Sequence, residues 1–316
     1  MNNPIVSSLL PVVLLIALGW IAGRRQWIGP GSVKDLSNLV FLLLSPALLF
    51  RSMSVVHVQD LSLKPVAAYF LGAGVIFAGT LLVYGFNRTA AVLGMASTYS
   101  NTSMIGIPLI GLAYGPPGMV TLLTLISLHA LVLLTLATVA VELAVARENA
   151  RNGGPQHHVA VLVWQAVRNA VLHPVPIPIV AGLVFAQTGW TIPPVIDTPL
   201  MLLGQAFGPV ALVMVGITLA QNHVGPQLRP ALGLALAKNL LHPVLVVLFG
   251  WMLGLHGLAL SVMVVAGSMP MGANVFLFAQ RYRTKEEMIT ASVAVSTVLG
   301  LVTVTAVMSF VSWWYQ

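Results

Sequence analysis

Long apolar runs, separated by short polar segments, occupy almost the whole chain. A run of about 17–25 apolar residues is long enough to cross the hydrocarbon core of a bilayer as an α-helix. We find ten such runs, near residues 5–22, 37–53, 65–85, 90–113, 117–143, 172–188, 198–220, 229–253, 257–280 and 287–313. The pattern therefore predicts an all-α integral membrane protein with ten transmembrane helices.

The fourth run departs from the pattern of an ordinary transmembrane helix. It places Asn101, Thr102 and Ser103 at mid-depth and follows them with Gly106 and Pro108. Because proline has no N–H and its ring clashes with the carbonyl four residues earlier, we expect the helix to break near Gly106. Broken backbone is tolerated at membrane depth only where protein buries it or where it lines a watery cavity. This run is thus predicted to form the floor of a binding site.

The ninth run contains a second stretch of the same kind, Gly267 to Tyr282. We expect Pro270 and Gly272 to open the helix there. Asn274 follows directly and is the counterpart of Asn101 in the fourth run. It either faces Asn101 across a crossing of the two broken helices or forms a hydrogen bond between neighbouring helices.

Prolines recur at a nearly constant offset in the two halves of the chain. The offsets are 163, 163 and 165 residues, for Pro11 with Pro174, Pro46 with Pro209 and Pro65 with Pro230. We infer two five-helix repeats, residues 1–145 and 171–316, joined by a cytoplasmic linker at 146–170. Because five is odd, the second repeat must enter the membrane from the opposite side. Inverted repeats with broken helices at matching positions are typical of secondary transporters with a site at the membrane midplane.

Composition narrows the class of protein further. The 316 residues are 58% hydrophobic and 7% charged, which excludes a soluble protein. The chain has no cysteine and no complete set of metal ligands, so we expect no disulfide, no metal and no other cofactor. The polar linker is too short for a nucleotide-binding domain, which argues against a pump driven by ATP.

The net charge of +7 comes from basic residues scattered between the apolar runs. This distribution indicates membrane orientation rather than binding to nucleic acid. If the N-terminus is outside, eleven lysines and arginines fall in cytoplasmic segments, two fall outside and one, Lys238, lies within a run. Because cytoplasmic loops carry the excess of basic residues, both termini are predicted to face outward.

Several motifs, in order along the chain, resemble those of the auxin efflux carrier family. NTSMIGIPL, from Asn101 to Leu109, is similar to the fourth-helix motif of the plant auxin exporters and their bacterial relatives. Further similar motifs are MPMGANVFLFAQRY from Met269, Lys238 with His242-Pro243, and FGPVALVMVGITLA at 207–220. The resemblance implies a bacterial, malonate-permease-like member in the cytoplasmic membrane, with the fold shared by bile acid and auxin transporters. It also implies a scaffold half, a transport half, and fourth and ninth helices that cross at their breaks.

The resemblance also assigns residues to substrate binding. Asn101 corresponds to the asparagine that contacts the substrate, and Thr102 and Ser103 are further candidates beside it. Their alternative role is to satisfy carbonyls freed by the break. The half-helices after the breaks direct partial positive charge into the cavity, which favours a carboxylate. His173 stands where plant relatives have an asparagine before a proline, and we expect it to contact substrate or to gate access.

Three further titratable side chains within the apolar runs are candidates for a functional role. His129 and His242 are candidates for a proton-responsive route, with a hydrogen bond to a backbone carbonyl as the alternative. Lys238 has no acidic residue at its depth. Three explanations stay open: a neutral amine, an ammonium bound to carbonyls freed by the breaks, or an ammonium that awaits an anionic substrate.

Together these features favour a secondary active or facilitative carrier of a small organic anion, working by alternating access. The resemblance suggests a carboxylate such as malonate or an auxin-like acid, and leaves a homodimer as one option for assembly. Because no carboxylate lies at mid-membrane, uniport, exchange and a histidine-based proton route stay open. The sequence contains no paired nucleophile and base of the kind that would indicate an enzyme. The alternative function is a membrane sensor or photoreceptor that uses Lys238.

Overall fold

A computed structural model describes residues 4–57, 59, 61–152, 161, 164, 168, 175–221, 225–272 and 274–314. Within these residues the chain is helical apart from turns and one isolated bridging pair. The helices are α1 (Pro4–Arg24), α2 (Pro30–Leu39), α3 (Ser45–Met53), α4 (Leu63–Tyr84), α5 (Arg88–Ala96), α6 (Ile107–Asn152), α7 (Pro176–Gln187), α8 (Pro194–Gln221), α9 (Leu228–Leu236), α10 (His242–Met252), α11 (Gly257–Ser268), α12 (Asn274–Arg281) and α13 (Glu286–Trp314). The prediction of an all-α protein is confirmed.

Six segments of the described chain are each long and apolar enough to cross a membrane. They are Gly31–Met53, Leu63–Tyr84, Thr102–Glu148, Pro194–Gln221, Gly225–Met252 and Glu286–Trp313. Thr102–Glu148 contains parts of two predicted helices, and a non-helical residue, Gly115, with φ 61° and ψ −157°, lies between them. Shorter apolar helices occupy Leu9–Arg24, Pro176–Gln187 and Gly257–Ser268. Ten spans in two inverted repeats stay a prediction.

Three π-helical turns interrupt the helices, and each ends two residues before a proline. The turns are Val40–Leu44, Thr102–Gly106 and Ala237–Leu241, and the prolines are Pro46, Pro108 and Pro243. Proline cannot donate a backbone hydrogen bond and its ring displaces the carbonyl four residues earlier. A widened turn accommodates both effects, so the helix continues through the proline instead of ending there.

Helix contacts divide the bundle into two groups that meet at α6. In the first group α1 packs on α8, and α3 packs on α7 and α8. In the second, α4 packs on α5 and α10, α11 packs on α6 and α10, and α13 packs on α9 and α12. Helix α6 contacts members of both groups, including α1, α7 and α8. Helix α6 therefore lies against helices of both groups.

The contact between α1 and α8 depends on small residues. A Cβ added at Gly216 would overlap the carbonyl of Ile16 and lie 2.6 Å from the backbone nitrogen of Trp20. A Cβ added at Gly19 would overlap the carbonyl of Val213. Membrane helices lack a hydrophobic driving force for association and rely on such close backbone packing.

The most deeply buried part of the molecule is formed by two segments that are not continuous helices. Every residue in 90–100 and in 260–272 is buried. Each of these segments begins in a short helix, α5 or α11, and ends in non-helical backbone. The centre of the fold thus contains backbone groups that no helix satisfies.

Candidate functional site at the crossing

The non-helical segments after α5 and α11 meet through their backbones. The N–H of Asn101 donates to the carbonyl of Pro270 at 2.8 Å, and the N–H of Gly272 donates to the carbonyl of Tyr99 at 3.0 Å. Because buried backbone groups outside helices need other partners, these two bonds account for why the segments lie together. We call this arrangement the crossing, and define it as residues 97–101 and 269–272.

The position of the first interruption differs from the prediction. Helix α5 ends at Ala96, and the helical turn resumes only at Thr102, so the non-helical backbone precedes Gly106. Gly106 instead closes the π-helical turn before Pro108. The difference arises because the widened turn accommodates the proline, whereas the backbone before Thr102 pairs with the second segment.

The second interruption falls around Pro270 and Gly272, between the end of α11 and the start of α12. Ser100 and Met271 lie opposite each other there as an antiparallel pair. A Cβ added at Gly272 would lie 2.9 Å from Cδ1 of Tyr99 and 3.1 Å from the carbonyl oxygen of Ser100. The absence of a side chain at this residue therefore permits the close approach of the two backbones.

Asn101 and Asn274 stand at the starts of the half-helices that follow the crossing. The side-chain oxygen of Asn101 accepts a hydrogen bond from the N–H of Met104 at 3.2 Å and so caps the following turn. Its amide nitrogen meets no acceptor among the described residues, and the residue is half-buried. Asn274 donates to the hydroxyl of Tyr99 at 2.9 Å. The partner of Asn274 across the crossing is thus Tyr99.

Two of the remaining predicted substrate-binding residues lie in the same turn as the Asn101 cap. Thr102 is buried, whereas Ser103 is half-buried. His173 lies outside the described residues.

Lys238 lies directly behind the crossing. Its side chain is fully buried, and Nζ donates to the carbonyls of Gly267 at 2.6 Å and Met269 at 2.9 Å. These carbonyls are free because α11 ends at Ser268. No carboxylate in the described part of the chain forms an ion pair with the lysine. The structure thus shows the amine in contact with freed carbonyls on the ninth-run side, a contact that a neutral amine and an ammonium can both make.

A second pair of polar residues, Asn239 and Ser296, binds the same segment of the crossing, residues 269–272. Asn239 donates to the carbonyl of Ser296 at 2.9 Å, and the hydroxyl of Ser296 donates back to the side-chain oxygen of Asn239 at 2.8 Å. The same hydroxyl accepts a hydrogen bond from the N–H of Met271 at 3.0 Å. A backbone donor released by the end of α11 is therefore satisfied by α13.

The two predicted proton-responsive histidines meet at a residue that the sequence analysis missed, Tyr69 of α4. The Tyr69 hydroxyl lies 2.6 Å from Oγ of Ser100 and 3.0 Å from Nε2 of His129. Nε2 of His242 lies 3.3 Å from the Tyr69 backbone carbonyl, and its Nδ1 is buried without a partner among the described residues. One feature of the sequence could have identified Tyr69: it is a tyrosine within an apolar run, and a buried phenol needs a hydrogen-bond partner.

A large cavity lies between the first group of helices and α6. Its volume is about 1280 Å³, and most of its lining is apolar. Pro108 lines it, but the other predicted site residues described by the structure do not. Its polar lining includes Arg51 of α3 and Asp197 of α8, which form an ion pair. In the described chain, no three side chains from His, Cys, Asp and Glu are grouped to hold a metal ion.

The chain is similar to known membrane transport proteins. The sequence profile of a family described as "Membrane transport protein" matches residues 4–308. A "Putative malonate transporter" of Rhizobium meliloti (strain 1021) is 27% identical over 312 residues, covering 96% of this chain and 95% of that protein. The "Uncharacterized transporter YfdV" of Escherichia coli (strain K12) is 25% identical, with 97% of each chain covered. "Auxin efflux carrier component 8" of Arabidopsis thaliana is 20% identical, with 96% of each covered.

Proposed function

Because the chain belongs to the membrane transport protein family, we propose that it carries a small organic anion across the bacterial cytoplasmic membrane by alternating access. The family match and the auxin efflux carrier relative confirm the resemblance carried by the motifs. The family consists of transporters, so the chain is a membrane transporter and not an enzyme. The substrate and the mechanism are the proposal.

The observation that carries the proposal is the convergence of positive potential at the crossing. The half-helices that begin at Asn101 and Asn274 present their N-terminal ends there, and such ends favour anions. Lys238 lies behind the same backbone, bound to the carbonyl of Met269. Since no carboxylate in the described chain pairs with Lys238, its charge is available to offset that of a bound anion.

We propose that the amide nitrogen of Asn101 contacts the anion directly. It is the one donor of that side chain left without an acceptor among the described residues, and charge-assisted hydrogen bonds are the stronger class. Thr102, Ser103, Asn274 and His173 are the further proposed contacts. A carboxylate is the anionic group that we favour, and malonate appears in the name of one relative.

The proposed architecture is ten transmembrane helices in two inverted five-helix repeats, residues 1–145 and 171–316, with a cytoplasmic linker at 146–170. In this arrangement α1, α3, α7 and α8 belong to the scaffold half, and the crossing belongs to the transport half. The division of helix contacts into two groups that meet at α6 supports this proposal. The cavity between the first group and α6 is where substrate would approach the crossing.

Transport in proteoliposomes tests the proposed function. Purified protein should move radiolabelled malonate or an aromatic monocarboxylate such as phenylacetate down its gradient, faster than protein-free vesicles do. Phenylacetamide, which has the same body without the charge, is the matched control and should not compete. If the protein moves no carboxylate of a broad panel, or if the neutral amide competes equally well, the organic anion proposal is wrong.

The same vesicles separate the remaining modes of coupling. A histidine-based proton route through His129 and His242 requires that an imposed pH gradient drives uptake against a substrate gradient. Uniport and exchange require no such drive. Rates that follow the substrate gradient alone at every imposed pH difference would exclude the proton route.

A further inference from the structure

An ion pair between two helices of the first group lies on the wall of the cavity. Nε of Arg51 donates to Oδ1 of Asp197 at 2.6 Å, and Nη2 donates to Oδ2 at 3.0 Å. The two side chains are 40% and 33% exposed. Both residues line the cavity that also reaches Pro108, next to the crossing. The pair is therefore accessible to a solute that occupies the cavity.

The geometry of this pair is that of carboxylate recognition. Two parallel N–H···O bonds join the edge of the guanidinium to both oxygens of one carboxylate, an arrangement that arginine forms with planar anions in general. A substrate carboxylate could take the place of the Asp197 carboxylate on the same edge. The exchange preserves the number of charge-assisted hydrogen bonds made by Arg51.

Solvent screens this ion pair, because both side chains are partly exposed. Exposed ion pairs stabilise folds by a small amount, and the bidentate geometry places this one among the stronger of them. Arg51 lies in the last turn of α3 and Asp197 in the first turn of α8, so each charge is also favoured by the dipole of its own helix. Each residue therefore has a favourable position even when the other partner is taken away.

The remaining lining defines what kind of carboxylate fits. Arg51 is the single basic side chain among the described residues that line the cavity. The rest of the lining is mostly apolar and includes Leu48, Phe185, Trp190 and Ile192, beside the hydroxyls of Ser52, Ser54 and Thr191. A monocarboxylate with an apolar body satisfies both features, whereas a second carboxylate would find no second basic side chain among the described lining residues.

We infer that Arg51 is a binding residue for the carboxylate of a monoanionic, apolar substrate, and that Asp197 occupies this site in the absence of substrate. The inference rests on the proposed function, because it assumes that an organic anion enters the cavity. It adds a site on the wall formed by α3 and α8, away from the asparagines and Lys238 at the crossing. Asp197 acts here as a competitor of the substrate.

Opposite effects of two substitutions test this assignment. We expect Arg51→Gln to raise the KM for phenylacetate about tenfold to a hundredfold, because the substrate loses a charged bidentate partner. Asp197→Asn should lower the KM severalfold, because the competing carboxylate is gone. If the pair only fastened α3 to α8, both substitutions would change KM in the same direction. Lys64→Gln is the matched control, since Lys64 is an exposed cation at the start of α4 outside the cavity.

The double variant Arg51→Gln/Asp197→Asn distinguishes two ways in which Asp197 can oppose the substrate: by occupying Arg51, or by repelling anions through its charge. If Asp197 acts by occupying Arg51, the gain from Asp197→Asn vanishes in the Arg51→Gln background. If Asp197 merely repels anions, the gain persists in that background and the assignment is wrong. Malonate should compete with phenylacetate less well than phenylbutyrate does, and the reverse order would refute the apolar monocarboxylate.

Failure of this inference and failure of the proposed function give different results. A wild-type protein that moves no carboxylate contradicts both. A wild-type protein that moves phenylacetate, with an Arg51→Gln variant of unchanged KM, contradicts only the role of Arg51. Thermal unfolding of each variant in detergent identifies any that fails to fold, and for such a variant Arg51→Lys provides the second measurement. Lysine keeps the charge but loses the bidentate fork, so an unchanged KM in Arg51→Lys would also overturn the assignment.

Discussion

At the scale of single residues, Asn101 and Lys238 each combine a structural contact with a proposed contact to substrate. The oxygen of Asn101 caps a turn while its amide nitrogen is left without an acceptor in the described chain. Nζ of Lys238 satisfies two carbonyls where α11 ends. Any test of their function must therefore separate loss of a substrate contact from loss of fold.

Asn101 can be tested with two substitutions that differ in capping. Asn101→Ala should lower the affinity for a carboxylate about fivefold to more than a hundredfold, since about 1–3 kcal/mol is lost where an anion is left unpaired. Asn101→Asp keeps a capping oxygen but replaces the amide donor with a negative charge, and should weaken anion binding more than Asn101→Ala does although it remains folded. Isothermal titration with phenylacetate and a thermal unfolding scan provide the two measurements. If folded Asn101→Ala binds phenylacetate normally, Asn101 caps the turn but does not contact the substrate.

Lys238 requires variants that distinguish its donors from its charge. Lys238→Met leaves two buried carbonyls unpaired, and we expect a loss of about 1–3 kcal/mol for each of them, measured as a lower unfolding temperature. Lys238→Gln keeps N–H donors without the charge and should unfold nearer to wild type. Both should bind carboxylates more weakly if the ammonium offsets the anion. Wild-type affinity and pH dependence in folded Lys238→Gln would show that the half-helix dipoles suffice.

At the scale of elements, three prolines of the described chain follow a widened helical turn instead of ending a helix. They are Pro46, Pro108 and Pro243. The sequence predicted a break near Gly106, because polar residues and proline at membrane depth require unusual backbone. It could not place the break at residues 97–101, because the ends of α5 and α11 are fixed by hydrogen bonds between segments far apart in the chain. Tyr69 was missed for the same reason: its partners come from other segments of the chain.

The packing of α1 on α8 gives a prediction for a pair of elements. Gly216→Ala introduces a Cβ that overlaps the backbone of α1, so the helices must separate and the protein should unfold at a lower temperature. Gly74→Ala is the matched control, because a Cβ at Gly74 of α4 meets nothing within 4 Å apart from its chain neighbours and the backbone of its own helix. We expect it to leave stability unchanged or to raise it by roughly 0.5–1 kcal/mol, as alanine is favoured over glycine within helices. Equal unfolding temperatures for the two variants would contradict the close contact.

At the scale of the whole molecule, the apolar runs and charges of the sequence predicted an all-helical membrane transporter, and this is confirmed. Hydrocarbon requires helical backbone over long runs, so composition and run length determine this class directly. The count of ten spans depends on weaker signals, such as the single Gly115 that separates two helices within Ile107–Asn152. The inverted repeat and the orientation therefore stay predictions.

Orientation can be measured with single cysteines, since the chain has none of its own. Gly153→Cys should react with a membrane-impermeant maleimide only from the cytoplasmic side, and Gln316→Cys only from outside. The physical reason is the excess of lysine and arginine in the segments assigned to the cytoplasm. Labelling of both positions from the same side would contradict an odd number of helices in the second repeat.

The separation of the cavity wall from the crossing has a consequence for how such carriers diversify. Arg51, Asp197 and the apolar lining of α3 and α8 make none of the hydrogen bonds that join the crossing. On the proposed function, substitutions on the wall alter which solute is recognised and leave the buried backbone pairing unchanged. A lineage of such carriers can then acquire a new nutrient or signal by changing a few residues of the wall, without altering the crossing.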